Sequence, residues 1–160
     1  MDYVQPRDVA AVKADKQRRR GRRAVAGRLR ATSSTTTRPP FRRKALRQAV
    51  AYALDLEQIV KGVWLNVGVP ANGPIPPTSW AYDRSIPPIK RDLARAKAKL
   101  AEGGQPNGFT FTMTTNNIPI NVQEAEVIQA QLREAGITMK IKLVDSATLI
   151  SPTATARTSR

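Results

Sequence analysis

The 160-residue chain contains no cysteine and no histidine. The first absence excludes disulfide frameworks, cysteine nucleophiles and thiolate metal sites. The second removes the commonest metal ligand and the usual general base near neutral pH. Aromatic residues are few: two Trp, three Tyr and three Phe. Long hydrophobic runs are missing as well. The longest, Ala49-Val50-Ala51-Tyr52-Ala53-Leu54, falls far short of the roughly 20 residues a spanning helix needs. The opening residues, Met1-Asp2-Tyr3-Val4-Gln5-Pro6, carry an acid where a secretory leader is basic, and no apolar core follows. The expectation is a chain without a signal peptide. It is also expected to be no enzyme: no catalytic residue, metal-ligand set or cofactor site emerges from it.

Acidic residues are absent from one stretch. The formal charge is +15, from 27 Lys and Arg against 12 Asp and Glu. Residues 16–47 hold 13 of the basic residues and no acid, so the remainder is nearly neutral at 14 against 12. The excess is local, which argues against a uniformly basic nucleic-acid binder. Its densest part, Lys16-Gln17-Arg18-Arg19-Arg20-Gly21-Arg22-Arg23, runs on to Ser33-Ser34-Thr35-Thr36-Thr37 and Pro39-Pro40. Like charges at this density repel and bury little, so residues 1–40 are expected to form a partly disordered basic arm. Such an arm holds phosphates non-specifically, with dissociation constants of ~10⁻⁴ to 10⁻⁶ M. No aromatic lies between Tyr3 and Phe41, so base stacking has no platform. A small basic protein binding nucleic acid non-specifically through residues 16–47 is the alternative reading. A solvated segment is the simpler one.

Residues 41–145 carry strong periodicity. Ala45, Leu46, Ala49, Val50, Ala53 and Leu54 recur as pairs every four residues, the stripe of an amphipathic helix. A second helix is predicted after Asp55, with Gln58 completing a capping box and Ile59, Val60, Val63 and Trp64 inward. Six of the twelve prolines then fall in residues 70–90, which predicts a long irregular loop containing Trp80 and Tyr82. A third helix follows Asp92, with Leu93, Ala96 and Leu100 on one face and Gly103 as a left-handed terminator. Phe109, Phe111 and Met113 alternate with threonines, as do Ile137, Met139, Ile141 and Leu143 with Thr138, Lys140 and Lys142, giving two strands. Between them lies a helix predicted over 121–135, with Asn121 and Glu124 as its capping box and Gly136 as its stop. The fold class is therefore α/β: a small βαβ sheet with parallel strands, packed helices and a long Pro-rich loop. Residues 146–160 are expected to fray.

Few residues gather into chemistry. Glu124 and Glu126 fall on different helix faces, and Asp55 and Asp92 serve as caps, so no carboxylate pair is set up for acid–base work. Gly21 to Gly27 lacks the Lys-Ser/Thr of a phosphate loop. The segment Thr114-Thr115-Asn116-Asn117-Ile118-Pro119 sits at the carboxyl end of a strand and before a helix, the rim where open α/β sheets bind ligands. Asn116 and Asn117, together with Trp80, are the candidate ligand-binding residues, although an ordinary βα loop, in which Asn tolerates left-handed geometry, is the simpler explanation of the asparagines.

Several motifs occur in an order that resembles a known family. They are Arg38-Pro39-Pro40-Phe41, then Ala45-Leu46-Arg47-Gln48-Ala49-Val50-Ala51-Tyr52-Ala53-Leu54-Asp55, then Gly73-Pro74-Ile75-Pro76-Pro77 and Trp80-Ala81-Tyr82-Asp83. Ala96-Lys97-Ala98-Lys99-Leu100-Ala101-Glu102-Gly103-Gly104 and Ile128-Gln129-Ala130-Gln131-Leu132-Arg133-Glu134-Ala135-Gly136-Ile137 complete the series. Residues 38 to about 150 thereby resemble lobe II of the extracytoplasmic solute-binding proteins of family 5, the oligopeptide, dipeptide and nickel class that serves ABC importers. The resemblance implies part of one lobe of a type 2 periplasmic-binding-protein fold, a peptide or similar small solute as ligand, permease subunits as partners, and a periplasmic or envelope-associated parent. It also implies that this chain alone binds solute weakly or not at all. Residues 16–36 and 151–160 depart from the pattern and are rich in Arg, Ala, Thr and Ser. That composition predicts a frameshifted or truncated reading of GC-rich DNA.

Overall fold

The computed structural model describes residues 39–67, 70, 75, 79–83, 85 and 87–150. The expectations for the arm before residue 39, for the tail after 150 and for much of the Pro-rich loop lie outside those residues. The described residues divide into two compact units, one within 56–89 and the other formed by 39–55 with 90–150.

The second unit is the α/β body. Helix α1, Lys44–Ala53, buries Ala45, Leu46, Ala49 and Ala53. It packs against α3, Leu93–Glu102, which buries Ala96 and Leu100. The alanines at the contact let the two backbones approach closely, and a Cβ on Gly103 would overlap the Leu46 side chain. Asp92 caps α3 as expected, its carboxylate accepting from the Arg95 N–H at 2.9 Å. The Asp92 N–H in turn donates to the Tyr52 carbonyl at 2.8 Å, tying the start of α3 to the end of α1. Gly103 is not the left-handed residue: its φ is −75°, and Gly104 at +71° makes the turn. Gly103 is instead required by the pressure of Leu46, so the turn passes to its neighbour.

Arg43 precedes α1 without making a side-chain cap for it. Its guanidinium donates to the Gly103 carbonyl at 2.6 Å, placing positive charge where the dipole of α3 is negative. Phe41 meets Phe109 and Phe111 edge-on, with ring centroids 5.7 and 5.0 Å away, contacts of about 0.5–1.5 kcal/mol each beyond simple burial.

Strands β1, Thr110–Asn116, and β2, Thr138–Val144, are parallel and pair one to one from Thr110↔Thr138 to Asn116↔Val144. Helix α4, Pro119–Glu134, connects them and packs on both, burying Ile120, Ala125, Ile128, Gln131 and Leu132. The alternation read from the sequence sets the faces: Phe111, Met113, Met139 and Ile141 turn toward the helices, while Thr110, Thr112, Thr114, Thr138, Lys140 and Lys142 are exposed. Leu143 departs from that pattern at 49% exposed, although its register partner Thr115 is buried. The α4 helix starts earlier than Asn121, with Ile118 flanking it and Pro119 in its first turn. Proline's fixed φ suits that position and needs no donor there. Gly108, at φ +83°, lies so close to the Gly136 carbonyl that a Cβ would collide with it. The turns that launch the two strands are thus pressed backbone to backbone.

Buried Gln131 accepts from the Asp55 N–H at 2.9 Å through Oε1, and its Nε2 faces the Asp55 carbonyl at 3.5 Å. One side-chain amide from α4 thereby fixes the chain as it leaves α1. Arg91 adds an ion pair to Glu134 at 2.7 Å and a bond to the Ala53 carbonyl at 3.2 Å. After β2, Asp145 accepts from the Thr148 N–H and hydroxyl at 2.7 and 2.6 Å and caps a short helix, α5, Ser146–Ile150.

In the first unit, α2, Leu56–Gly62, buries Ile59 and Val60, and Val63 and Trp64 are buried just beyond it. Leu65 and Asn66 take left-handed backbone, φ 48° and 58°, and the Asn66 N–H reaches the Val60 carbonyl at 3.1 Å to close the helix.

Candidate functional site

The carboxyl ends of both strands, the amino end of α4 and the start of α5 meet at one rim. β1 delivers Asn116 there half-buried and Asn117 exposed. The Asn117 N–H donates to the Val144 carbonyl at 3.1 Å, so the loop stays clipped to β2 after the strand has ended. Asn116 is held at both ends of its amide. Its Oδ1 accepts from Asn121 Nδ2 at 2.5 Å and its Nδ2 donates to Ser146 Oγ at 3.3 Å. Each amide atom retains one further hydrogen-bonding position, because an amide oxygen accepts twice and an amide nitrogen donates twice. The rim is polar. Its charge comes from Asp145, whose carboxyl is held below the usual carboxylate range by the Thr148 hydroxyl and then by the Thr148 N–H.

Sequence reasoning selected Asn116 and Asn117 and missed Asn121 and Ser146. Asn121 had been assigned to capping, and Ser146 to a frayed tail. A signal for both existed in the parallel βαβ prediction, because parallel strands of equal length bring the residues after each strand to the same rim. Trp80, the third candidate, belongs to the other unit, where it is 98% exposed. It lies in a turn made by Ser79, whose carbonyl accepts from the Tyr82 N–H at 3.2 Å and whose Oγ accepts from the Ala81 N–H at 3.2 Å.

Among the described residues no group of three or more Asp or Glu is placed to hold a metal ion, and no helix is long and apolar enough to cross a membrane. A depression of about 510 Å³ is lined by Pro39, Pro40, Arg42, Arg43, Leu46 and Gln105. The Arg43 guanidinium is committed to Gly103 there. Arg47 likewise donates to the carbonyls of Phe41 and Arg42. These described members of the basic stretch serve local backbone groups.

An α/β lobe with an amide-lined rim at the carboxyl ends of its strands has the form of a ligand-binding body. Comparison with known proteins makes the class specific: the chain belongs to the bacterial extracellular solute-binding proteins of family 5, whose middle region it matches over residues 1–159. It is similar to heme-binding protein A of Haemophilus influenzae, 35% identical over 107 residues, covering 64% of this chain and 20% of that protein. It is also similar to the dipeptide-binding protein of Escherichia coli, 32% identical over 147 residues, covering 88% and 27% respectively. Among solved structures it matches the ABC transporter-associated periplasmic binding protein DppA from Helicobacter pylori in complex with the peptide STSA, at 32% identity and a TM-score of 0.68, covering 71% of this chain and 22% of that one. The chain thus spans about a fifth to a quarter of its relatives, and its fold is part of an α/β lobe of a periplasmic binding protein. The family match runs across residues 16–36, where the motifs lapse. Nothing in these relatives supports the nucleic-acid alternative.

Proposed function

We propose that the chain is part of the solute-binding component of an ABC importer, and that it contributes one wall of a site for a peptide or similar small polar solute without catalysing a reaction. The observation that carries this reading is the rim at Asn116, pre-positioned by Asn121 and Ser146 in a chain of the solute-binding family. Side-chain amides both donate and accept, so they suit the alternating N–H and C=O groups of a peptide main chain. Fixing Asn116 from two sides removes rotamer freedom before the ligand arrives, which lowers the entropic cost of binding. Exposed Asn117 extends the polar surface of the rim; Trp80, in the other unit, is a separate candidate contact whose exposed indole suits an apolar side chain. The E. coli relative is a dipeptide-binding protein and the H. pylori relative holds a tetrapeptide, which supports the peptide class. Permease subunits as partners, and an envelope location, follow from the same family reading.

A receptor that closes on its ligand gains affinity from contacts on both walls, and ligand favours closure only through the difference between states. One wall alone is expected to bind at millimolar strength or weaker. The test is a titration of the ¹⁵N-labelled chain with di- to pentapeptides. Amide shifts clustered at Asn116, Asn117 and Asn121, reduced in Asn117→Ala, are the expected result. Shifts confined to other surfaces, or micromolar binding by the isolated chain in calorimetry, overturn it.

A further inference from the structure

We propose that Asn121 is a positioning residue that sets the direction in which a peptide lies across the rim, through the sense it imposes on the Asn116 amide. The inference rests on the reading of the rim as one wall of a peptide site. It concerns which end of the peptide faces which element, a matter the class of ligand leaves open.

The backbone beneath the rim is fixed, so the sense of the amide is the variable left. Asn116 stands opposite Val144 in the β1–β2 register, and the Asn117 N–H holds the Val144 carbonyl at 3.1 Å. Asn121 sits in the first turn of α4, its own N–H on the Ile118 carbonyl at 2.9 Å. From there its Nδ2 donates to Asn116 Oδ1 at 2.5 Å, and Asn116 Nδ2 donates onward to Ser146 Oγ at 3.3 Å. The three side chains form a relay with a direction, from α4 through Asn116 to α5. Turning the Asn116 carboxamide over would set nitrogen against nitrogen at Asn121. Ser146 imposes no sense of its own, because a hydroxyl both donates and accepts. The positive end of a helix favours an amide oxygen turned toward it, which leaves the Asn121 nitrogen for Asn116.

A carboxamide of fixed sense reads chain direction. In an extended peptide the N–H and C=O of one residue point to the same side, and the N–H comes first along the chain. Asn116 retains one accepting position on Oδ1, the atom bonded to α4, and one donating position on Nδ2, the atom bonded to α5. An extended residue that takes both has its amino side toward Asn121 and its carboxyl side toward Ser146. The paired use of one donor and one acceptor is how a carboxamide distinguishes adenine in a DNA groove. Here the same pairing distinguishes the two directions of a main chain.

The test uses the full 160-residue chain, ¹⁵N-labelled, and tetra-alanine carrying a nitroxide at its amino end or at its carboxyl end. The other end is capped, so that no terminal charge biases the result. The wild-type chain should lose amide intensity at residues 120–123 with the amino-end label and at 145–148 with the carboxyl-end label. Asn121→Asp offers only acceptors, so Asn116 turns its nitrogen to α4 and its oxygen to the Ser146 hydroxyl, and the two patterns of loss should exchange. The count of bonds is unchanged and an acid suits the first turn of a helix, so stability in urea should hold. A merely structural Asn121 would instead lose stability and leave the patterns in place. Ser146→Ala should keep the wild-type patterns. Without peptide, the Asn116 Nδ2 protons should show nuclear Overhauser contacts to Ser146 in the wild type and to position 121 in Asn121→Asp. A peptide bound at the rim with equal losses from both labels overturns the inference and leaves the peptide site standing. So do patterns that Asn121→Asp fails to exchange. Rim amides untouched by either label overturn the peptide site, and this inference with it.

Discussion

Trp64 and Trp80, the chain's two tryptophans, belong to the same compact unit and differ completely in burial: the first is 8% exposed, the second 98%. Trp64 extends a helical stripe begun by Ile59 and Val60 and continued by Val63, all of them buried. Trp80 follows a run of prolines that donate no hydrogen bond and repeat no period. Side-chain hydrophobicity is the same in both places, so it does not decide burial. What decides it is whether the neighbours recur at a spacing that builds a face. Unburied, an indole is available for binding; buried, it is committed to stability.

Substitution breaks this comparison most sharply at Trp64. Trp64→Ala should cost about 3–5 kcal/mol in urea unfolding followed by circular dichroism, the range for a buried large aromatic. Its Nε1 has no hydrogen-bond partner among the described residues. Trp64→Phe removes that orphan donor and keeps most of the apolar surface, so it should recover most of the loss.

In the α/β body the expected second-largest effect is at Gly108. Alanine there meets a left-handed backbone worth about 1–2 kcal/mol and a collision with the Gly136 carbonyl that no side-chain rotation relieves. Destabilisation of about 2–4 kcal/mol is expected, within the range for overpacking added to strain, and it should loosen the β1 and β2 amides together in hydrogen exchange. Gln131→Ala comes next. It removes the Gln131 acceptor from the half-buried Asp55 N–H and should cost about 1–2 kcal/mol, toward the lower part of the range for a lost partner. Gln131→Glu keeps an acceptor in place and should show a different pH dependence from the alanine variant.

The same contrast explains how much of the molecule was legible. Helices α1, α3 and α4 and both strands follow from apolar spacing, because each buries one face and the period of that face is local in sequence. Asp92 was legible as a cap for the same reason: its bond to the Arg95 N–H spans three residues. Gly103 and Ser146 were misread because their roles are set across the fold, and Asn121 because the helix starts before it and leaves its side chain to the preceding strand end. Leu46 presses on Gly103 from a helix almost sixty residues earlier, Ser146 reaches Asn116 only once β1 and β2 lie in register, and Asn121 meets Asn116 from five residues on. The Asn116 rim was legible as a place, from its position after a strand, and illegible as a network. Trp80 was legible as an unusual residue in a loop without any sign of what it touches.

Acid should probe the rim without disturbing the core. The Asp145 carboxyl titrates below its ordinary value, because the Thr148 hydroxyl and then its N–H favour the ionised form. Its native value is therefore lower than its unfolded one, near 3.9. The stabilisation is complete above that unfolded value and is lost as pH falls through the native value. Carboxyl shifts followed by NMR should show Asp145 protonating late, and Thr148→Val should move it back toward the ordinary range. Ser146 follows Asp145 directly and contacts Asn116, so the Asn116 side-chain amide resonances should move over the same pH interval.

The smallest effect on folding is expected at the other tryptophan. A side chain that is 98% exposed loses almost no contacts when truncated, so Trp80→Ala should change unfolding free energy by no more than about 0.5 kcal/mol. Ligand binding is where it should register. If Trp80 stacks on a solute side chain, peptides bearing an aromatic or long aliphatic residue should lose more of their weak affinity in Trp80→Ala than glycine-rich peptides do. Equal losses for both kinds of peptide would assign the contact to the main chain and remove Trp80 from the site. A loss of stability comparable to that at Trp64 would mean that the Pro-rich segment packs its indole in solution, and the contrast between the two tryptophans would disappear.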